Sequence, residues 1–291
     1  MDSDVRIDLH SHSVASDGTD TPAELVTLAA AAGLDVLAIT DHDTTDGWAP
    51  AAAARPAGLT LIRGAEFSTQ IAAGDRMVSV HLLGYLFDPA DAAVVAEQTR
   101  LREERRRRGM AMVQRMAADG LPISGGQVMR IADGAPVGRP HIGQALIESG
   151  VVESVDEAFA SLLGGPHGYY LPKADTDLAT AVRLVTAAGG AAVLAHPRGR
   201  GEALALRPAV IGELAQAGLV GIEVDHPDHP AAARAELAAL AAAYGLLSTG
   251  SSDYHGHNKT LTIGQETTRP DQLVRLVERT SGVTPVLGEL S

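Results

Sequence analysis

Two histidines, His10 and His12, follow a short apolar stretch near the amino terminus. Side chains two positions apart point the same way in an extended chain, so both imidazoles can face one metal ion. Such a pair is weak evidence alone, but further imidazole and carboxylate groups accompany later apolar runs. These groups are Asp17, His42, Glu66, His81, His196, Asp253 and His255. Because the 291 residues include no cysteine, any metal ion must be held by histidine, aspartate and glutamate.

A donor set of imidazole and carboxylate, without sulfur, suits zinc, manganese or iron in a site of more than one ion. One carboxylate can bridge two ions, and Glu66 is the candidate for that position. A water shared by two ions loses a proton near neutral pH and becomes a nucleophile, while the ions neutralise the oxygens of a phosphoryl group. The chain shows no convincing serine nucleophile and neither glycine-rich phosphate-binding pattern, G-x-x-x-x-G-K-[ST] or G-x-G-x-x-G. The pattern therefore favours metal-dependent chemistry on a phosphoryl group.

These polar groups can meet at one metal site only if the strands before them end at the same edge of one sheet. Seven strands are predicted, over residues 5–9, 36–40, 59–63, 78–85, 191–195, 220–224 and 246–250. The first intervening helix begins at Thr21 and Pro22, with Glu24 completing a capping box, and ends at Gly33. This alternation predicts an α/β fold with a mainly parallel sheet, and seven βα units favour a barrel. In such barrels the chemistry lies at the carboxyl ends of strands, where every candidate except His81 is expected.

The alternation breaks between residues 91 and 172, where no strand is predicted. Helices are expected there over residues 91–119, 139–149 and 154–163, and after the break over 176–188, 202–217, 230–244 and 270–279. Residues 1–90 and 173–291 are therefore expected to form the barrel, and residues 91–172 a helical insertion. The first inserted helix carries seven arginines between Arg100 and Arg115. We expect a solvated helix face there, with guidance of an anionic substrate as the alternative.

The composition argues against several classes of protein. A formal net charge of −13 disfavours an extended groove for duplex DNA. No apolar run approaches the roughly 18 residues of a membrane span, so no membrane-crossing segment is expected. The acidic first four residues lack the basic and apolar regions of a signal peptide, and the absence of cysteine fits a cytoplasmic protein. With 45% apolar residues but only 3% aromatics, the core is expected to consist of alanine, leucine, valine and isoleucine.

Taken in order, these motifs resemble those of the PHP (polymerase and histidinol phosphatase) family. The matching segments are His10-Ser11-His12, Thr40-Asp41-His42-Asp43, Gly64-Ala65-Glu66, His81-Leu82-Leu83-Gly84-Tyr85, Ala195-His196-Pro197 and Gly250-Ser251-Ser252-Asp253-Tyr254-His255. The resemblance covers the whole chain and implies a distorted (β/α)7 barrel with a site for three divalent ions. Two to three ions are expected in the protein, as manganese, iron or zinc, with magnesium as a further choice.

The resemblance also implies which residues bind each ion. One ion would be held by His10, His12, Glu66 and Asp253, a second by Glu66, His81 and His196, and a third by Asp17, His42 and His255. A metal-bridging hydroxide held by Glu66 and Asp253 would be the nucleophile. The neighbouring Asp41 and Asp43 are expected to orient ligating imidazoles.

The helical insertion makes the chain similar to one branch of that family, which includes nucleoside 3',5'-bisphosphate phosphatases, AMP phosphatases and 5'–3' exoribonucleases. Residues 138–142 and 170–173 carry this similarity. It implies hydrolysis of nucleotides or of short 5'-phosphorylated oligoribonucleotides, with the insertion as a lid that recognises them. The candidate substrate contacts are Arg139, His141, Lys173, Arg198 and His226. A helix start with an arginine is a good anion site, although capping and packing are the alternatives for Arg139 and His141.

Three other functions remain open at this point. A phosphatase for a small non-nucleotide phosphate, such as histidinol phosphate, would not need the extra surface of an insertion. An inactive PHP module with a structural role would not need a complete ligand set. An amidohydrolase also holds its metal ions in a βα barrel, but it usually shows a carboxylated lysine or a different placement of histidines. The single tryptophan, Trp48, is expected to pack in the core, with stacking on a nucleobase as the alternative.

Overall fold

The computed structural model describes residues 5–164, 168–199 and 206–288 of the chain. Within these residues one curled sheet contains β1 (Ile7–Asp8), β2 (Val36–Ile39), β3 (Thr60–Ala73), β4 (Arg76–Tyr85), β5 (Thr176–Asp177), β6 (Ala191–Ala195), β7 (Leu219–Asp225) and β8 (Leu247–Gly250). The strand order is β1-β2-β3-β4-β6-β7-β8, and the two-residue β5 pairs with β3 beside this path. The α/β prediction is confirmed, and β5 is a strand that the sequence did not indicate.

The middle of the sheet differs from a repeated βα pattern. Strand β4 runs antiparallel to both of its neighbours, β3 and β6, whereas the other pairs along the path are parallel. β3 and β4 therefore form a hairpin, and β3 continues ten residues beyond the predicted end at residue 63. This corrects the expectation for Glu66, which lies within β3 rather than after it. Ser68 pairs with His81 across the hairpin, so His81 reaches the same region from the middle of its own, reversed strand.

The two edges of the sheet meet beyond the ends of β1 and β8. Ser11 forms an isolated parallel bridge with Tyr254, and the backbone N–H of His12 donates to the Tyr254 carbonyl at 2.8 Å. Side chains of β2 alternate between two hydrophobic clusters: Val36 and Ala38 pack in the smaller one, and the intervening positions pack in the larger one. This period of two is expected where a curled sheet has one face inside and the other under helices. The expected distorted barrel is therefore confirmed.

Helices cover the outer face of the sheet. They are α1 (Pro22–Ala31), α2 (Trp48–Ala54), α7 (Leu178–Ala187), α8 (Pro208–Gln216), α9 (Ala231–Tyr244) and α10 (Pro270–Val277). The predicted capping box of α1 is confirmed, because the Thr21 side chain accepts from the Glu24 backbone and Glu24 accepts from the Thr21 backbone. Helix α2 was not predicted, and the start of the helix expected over residues 202–217 includes residues that lie outside the described part of the chain.

Residues 92–163 contain α3 (Ala92–Ala118), α4 (Gly125–Ala132), α5 (Arg139–Glu148) and α6 (Val155–Ala158), and α6 continues into a π-helical turn over Phe159–Leu163. Three of these helices match the prediction, whereas α4 was not foreseen. The far half of α3 and the following helices share a hydrophobic cluster of their own, which includes Met112, Val128, Ile142 and Leu146. The first half of α3 instead contributes Val94 and Leu101 to the core of the barrel. Helix α3 thus connects the core of the barrel to the hydrophobic cluster of α4–α6.

None of the helices in the described residues combines the length and the apolar character that crossing a bilayer requires.

Candidate metal centre

The side chains predicted as metal ligands converge at one end of the curled sheet. Eight of them are buried, and only His81 is partly exposed. Among the described residues, three overlapping groups bring potential ligand atoms within 4.8 Å of one another. They are His10, His12, Glu66 and Asp253; then His12, Asp17, His42 and His255; and then His42, Glu66 and His81. His196 joins the centre through its Nε2, which lies 3.0 Å from Glu66 Oε1.

Glu66 lies in the middle of the centre, and its two oxygens face different imidazoles. Oε2 lies 3.1 Å from His10 Nε2 and 3.0 Å from His12 Nε2. Oε1 lies 2.6 Å from His81 Nδ1 and 3.0 Å from His196 Nε2. Burial opposes ionisation of this carboxyl, but the surrounding imidazoles outweigh it and hold the pKa of Glu66 well below its usual range. Its placement is what a carboxylate shared by two cations requires.

Several polar atoms of the centre fit divalent ions better than they fit hydrogen bonds. Asp17 Oδ1, His42 Nδ1 and Asp253 Oδ1 are buried and form no hydrogen bond. A buried polar atom without a partner is unfavourable, and a cation held between such atoms would satisfy them together. Nitrogen and oxygen donors without sulfur suit zinc, iron, manganese or magnesium. The side chains present therefore fit divalent metal ions.

Proton affinities differ sharply between neighbouring imidazoles. Burial opposes protonation of His12, but Asp253 and Glu66 outweigh it and raise the pKa of His12 to about 9. Burial, together with the charges of His12 and Lys259, lowers the pKa of His255 to about 4. Metal ions bind only the unprotonated imidazole, so loading the centre near neutral pH must release the proton that His12 holds.

Glu223, in β7, supports the centre and was missed by the sequence analysis. Its Oε1 lies 3.2 Å from His10 Nδ1, and its Oε2 accepts a 2.7 Å hydrogen bond from the His196 backbone N–H. Burial opposes its ionisation, but His10, His226 and His196 outweigh it and lower the pKa of Glu223 to about 2. A glutamate inside the apolar run of residues 220–224 is the signal that could have identified it.

Asp41 and Asp43 were expected to orient ligating imidazoles, and their hydrogen bonds hold loops and a helix in place. Asp41 accepts from the Ser13 backbone at 2.8 Å and from Ser16 Oγ at 2.7 Å, and Ser16 lies next to His12. Asp43 accepts from the Ser68 backbone at 2.7 Å and forms an ion pair with Arg105 of α3. Asp41 and Asp43 therefore reach the imidazoles by hydrogen bonds through neighbouring residues, and Asp41 also acts on His12 through its charge.

A cavity of about 550 Å³ opens onto the centre. Seven of the candidate ligands line it, together with several cationic and aromatic side chains. The cationic residues are Arg105, Arg108, Arg139, Lys173 and Lys259, and the aromatic ones are Phe159 and Tyr170. One cavity thus connects the candidate metal ligands with a positively charged lining.

The arginines of α3 were expected on a solvated helix face. This is correct for the exposed Arg106 and Arg107, but Arg105 and Arg108 face the cavity instead. The signal was present in the sequence. Leu101, Arg105, Arg108 and Met112 follow helical spacing, so the apolar stripe of α3 passes through the two arginines.

Arg139 and Lys173 lie where a substrate could reach them. Arg139 Nη1 donates to the Leu163 carbonyl at 3.1 Å, and its guanidinium carbon lies 4.8 Å from the Phe159 ring centroid and 5.5 Å from that of Tyr170. Lys173 Nζ lies 3.1 Å from Ser68 Oγ and 3.1 Å from an Asp175 oxygen. Burial and the charge of Arg105 lower the pKa of Lys173 to about 8.

The other three predicted substrate contacts lie outside the cavity lining. His141 Nδ1 accepts from the Gly138 backbone at 3.0 Å, at the start of α5. Arg198 pairs with Glu236 at 2.8 Å. His226 lies behind the centre, with Nδ1 accepting from the Asp228 backbone and Nε2 3.5 Å from Asp253 Oδ2.

Trp48 packs as expected and does not offer a stacking surface. It is buried, its Nε1 donates to the Gly64 carbonyl at 2.7 Å, and its ring lies 5.1 Å from that of Phe87.

The chain is similar in sequence and in structure to proteins of one family. Residues 8–122 match the model of the PHP domain. A 3',5'-nucleoside bisphosphate phosphatase of Chromobacterium violaceum is 35% identical over 251 residues, which cover 86% of this chain and 87% of that protein. The 5'-3' exoribonuclease Rnm of Escherichia coli K12 is 31% identical over 265 residues, or 89% of this chain and 88% of that protein. A solved structure from Bifidobacterium adolescentis, described as a metal-dependent phosphoesterase, superposes with a TM-score of 0.86 at 34% identity and covers 94% of this chain and 96% of its own.

Proposed function

We propose that this chain, which belongs to the PHP family, hydrolyses phosphate esters of nucleotides that carry a second anionic group. The chain is a phosphoesterase that depends on divalent metal ions. Nucleoside bisphosphates and short 5'-phosphorylated oligoribonucleotides meet the proposed description. The relatives named as a nucleoside bisphosphate phosphatase and as a 5'-3' exoribonuclease support this choice of substrate class.

The single observation that carries the proposal is the shared cavity. Its lining includes Glu66 and Asp253 of the centre as well as Arg108, Arg139 and Lys173. A reacting phosphoryl group must lie on the metal ions, whereas a second phosphate needs cations some distance away. The cavity offers both environments to one molecule, which a substrate with a single phosphate would not require.

We propose two to three divalent ions in the centre, drawn from manganese, iron, zinc and magnesium. His10, His12, Glu66 and Asp253 would hold one, Glu66, His81 and His196 a second, and Asp17, His42 and His255 a third. When bound, the ions supply an activated water and neutralise the phosphoryl oxygens. The protein buries these side chains and directs each oxygen of Glu66 at a different set of imidazoles.

Arg108 and Arg139 would bind the second phosphate. The guanidinium carbon of Arg108 lies 5.1 Å from the Tyr170 centroid, and that of Arg139 lies 5.5 Å from the same centroid. Aromatic faces stabilise and orient a guanidinium, and a guanidinium binds phosphate through two parallel hydrogen bonds. Lys173 would add a point charge to this subsite.

Arg139→Ala tests the second-phosphate subsite. Loss of a charge-assisted contact should cost about 1.5–3 kcal/mol, so kcat/KM for a nucleoside 3',5'-bisphosphate should fall about ten- to a hundredfold. Hydrolysis of a small aryl phosphate, which has no second anion, should change little. Arg107→Ala, on the exposed side of α3, is the matched control and should affect neither substrate.

Equal losses on both substrates would contradict the subsite, because Arg139 would then hold the reacting phosphate or support the fold. A panel of phosphate esters tests the wider proposal. It should include nucleoside bisphosphates, AMP, 5'-phosphorylated dinucleotides and histidinol phosphate, with phosphate or nucleotide release measured in the presence of manganese. Best turnover of histidinol phosphate would replace the nucleotide proposal by a small-molecule phosphatase.

A further inference from the structure

Lysine is rare in this chain, and both of its lysines lie in the cavity. The sequence contains 23 basic residues, of which only Lys173 and Lys259 are lysines. Both line the cavity that opens onto the candidate metal centre. Lysine differs from arginine in being a compact point charge on a flexible stem, with three N–H donors that can follow a group whose geometry changes. The proposed function uses Lys173 for the second phosphate and leaves Lys259 without a role.

Lys259 contacts the candidate ligand Asp253, and the two oxygens of that carboxylate have different partners. Oδ1 faces the centre, at 3.4 Å from both His10 Nε2 and His12 Nε2. Oδ2 forms an ion pair with the Lys259 ammonium and lies 3.5 Å from His226 Nε2. A metal ion would therefore take Oδ1, and Lys259 would keep its contact with Oδ2. The ammonium would then be close to any ion that Asp253 helps to hold.

The turn that carries Lys259 is tied to the loop of another candidate ligand. Gly256–Asn258 form a 3-10 turn, and the His257 backbone donates to Thr19 Oγ1 at 2.9 Å. Asn258 Nδ2 donates to the Asp17 carbonyl at 2.8 Å, and Gln144 of α5 donates to Asn258 Oδ1 at 3.0 Å. The base of the lysine side chain is thus held by the barrel and by the insertion, while 23% of the side chain stays exposed to the cavity.

We propose that Lys259 is a catalytic residue whose ammonium binds a non-bridging oxygen of the phosphoryl group being hydrolysed. This assignment rests on the proposed function, because it places the phosphoryl group on the metal centre. Asp253 orients the ammonium, and no proton leaves it. The positive charge stabilises the negative charge that the equatorial oxygens share in the transition state. Lys259 acts on the reacting phosphate, in contrast to Arg139 and Lys173.

The test uses Lys259→Met in the metal-loaded protein, with inorganic phosphate as the probe. Calorimetry should show binding of inorganic phosphate weakened by roughly ten- to a hundredfold, and kcat for a small aryl phosphate should fall by a similar factor. The metal content, measured by elemental analysis, should equal that of the wild type. Lys259→Arg keeps the charge and should recover part of both losses. Arg269→Met, which removes one exposed charge outside the cavity, is the control and should behave as the wild type.

Two results would overturn the assignment. Lys259→Met that retains its metal ions and binds inorganic phosphate as the wild type does would show that the ammonium does not touch the phosphoryl group. Loss of metal ions in Lys259→Met, with normal binding once metal is restored in excess, would make Lys259 a residue that only positions Asp253. A wild-type protein that hydrolyses none of the phosphate esters would instead contradict the proposed function, while the binding of inorganic phosphate would still decide the role of Lys259.

Discussion

The imidazole of His10 has two nitrogen atoms with different partners. Nε2 faces Glu66 and Asp253, at 3.1 and 3.4 Å, and Nδ1 lies 3.2 Å from Glu223. An ionised Glu223 accepts a hydrogen bond from Nδ1–H, which keeps the proton on that nitrogen, so the lone pair of Nε2 is directed at the candidate metal centre. A carboxylate in this position fixes the tautomer and the ring orientation of a metal-binding histidine.

Glu223→Gln should therefore weaken metal binding while the protein still folds. An amide can present its NH2 group to Nδ1 and favour the wrong tautomer, and the affinity for manganese or zinc should fall roughly ten- to a hundredfold. Titration against a chelator of known affinity measures this change directly. Glu236→Gln provides the control, because Glu236 is 53% exposed and is not a candidate ligand. Unchanged metal affinity in Glu223→Gln would remove Glu223 from the support of the centre.

Lys173 should make kcat/KM depend on pH only for substrates that carry a second phosphate. Burial and Arg105 lower its pKa to about 8, so the ammonium is charged below that pH and loses its proton above it. We expect kcat/KM for a nucleoside bisphosphate to fall between pH 7 and 9 relative to that for an aryl phosphate. Lys173→Arg keeps its charge throughout this range and should remove the difference. A constant ratio in the wild type would contradict the contact between Lys173 and the second phosphate.

At the scale of elements, the β3–β4 hairpin was the part of the fold that the sequence concealed. The apolar pattern of β3 stops at residue 63 because the following inward positions, Glu66 and Ser68, are polar side chains of the site. A strand whose inner face lines a polar centre lacks the alternation from which strands are predicted. The ends of β2, β6 and β8 were predictable, because there the apolar run and the strand end together. Function thus obscured the local pattern where the ligands lie inside a strand.

Helix α3 is joined by Arg105 to the loop after β2, through a buried ion pair, and to this hairpin, through a hydrogen bond. Arg105 pairs with Asp43 and donates to Ser68 Oγ at 2.6 Å, and both charged side chains are almost fully buried. Arg105→Met would leave the carboxylate of Asp43 buried without its cation, which should lower the free energy of unfolding by roughly 3–5 kcal/mol. Urea denaturation measures the change. Arg107→Met, on the exposed face of the same helix, should leave stability nearly unchanged, and equal effects of the two substitutions would contradict this account.

At the scale of the whole molecule, the candidate ligands come from positions 10 to 255 and meet in one buried centre. The sequence indicated these candidates because most of their motifs follow an apolar run, whereas Glu66 and His81 lie inside strands. The positions of Arg108 and Glu223 beside the centre could not be predicted from the sequence, since they depend on how distant elements pack. Local patterns indicate where a strand ends, whereas the packing of α3 and β7 decides which polar side chains face the cavity.

Removal of the metal ions should destabilise the entire fold. Without ions the centre keeps buried atoms such as Asp17 Oδ1 and Asp253 Oδ1 without hydrogen bonds. An ion that binds only the folded chain stabilises it by about 2.7 kcal/mol at a free concentration of a hundred times its Kd. Dialysis against a chelator should therefore lower Tm, and added manganese or zinc should restore it. Coincident melting curves with and without chelator would contradict a buried metal centre.

The bridge between Ser11 and Tyr254 also bears on how the protein is made. A ribosome adds about 5–20 residues per second, so residue 254 emerges roughly 10–50 seconds after residue 11. During that interval His10 and His12 belong to a nascent chain that lacks Asp253 and the closing strand β8. Complete coordination becomes possible only after nearly all of the chain has left the ribosome. A metal ion held by His10, His12 and Asp253 would therefore be selected by the finished protein and not by the nascent chain.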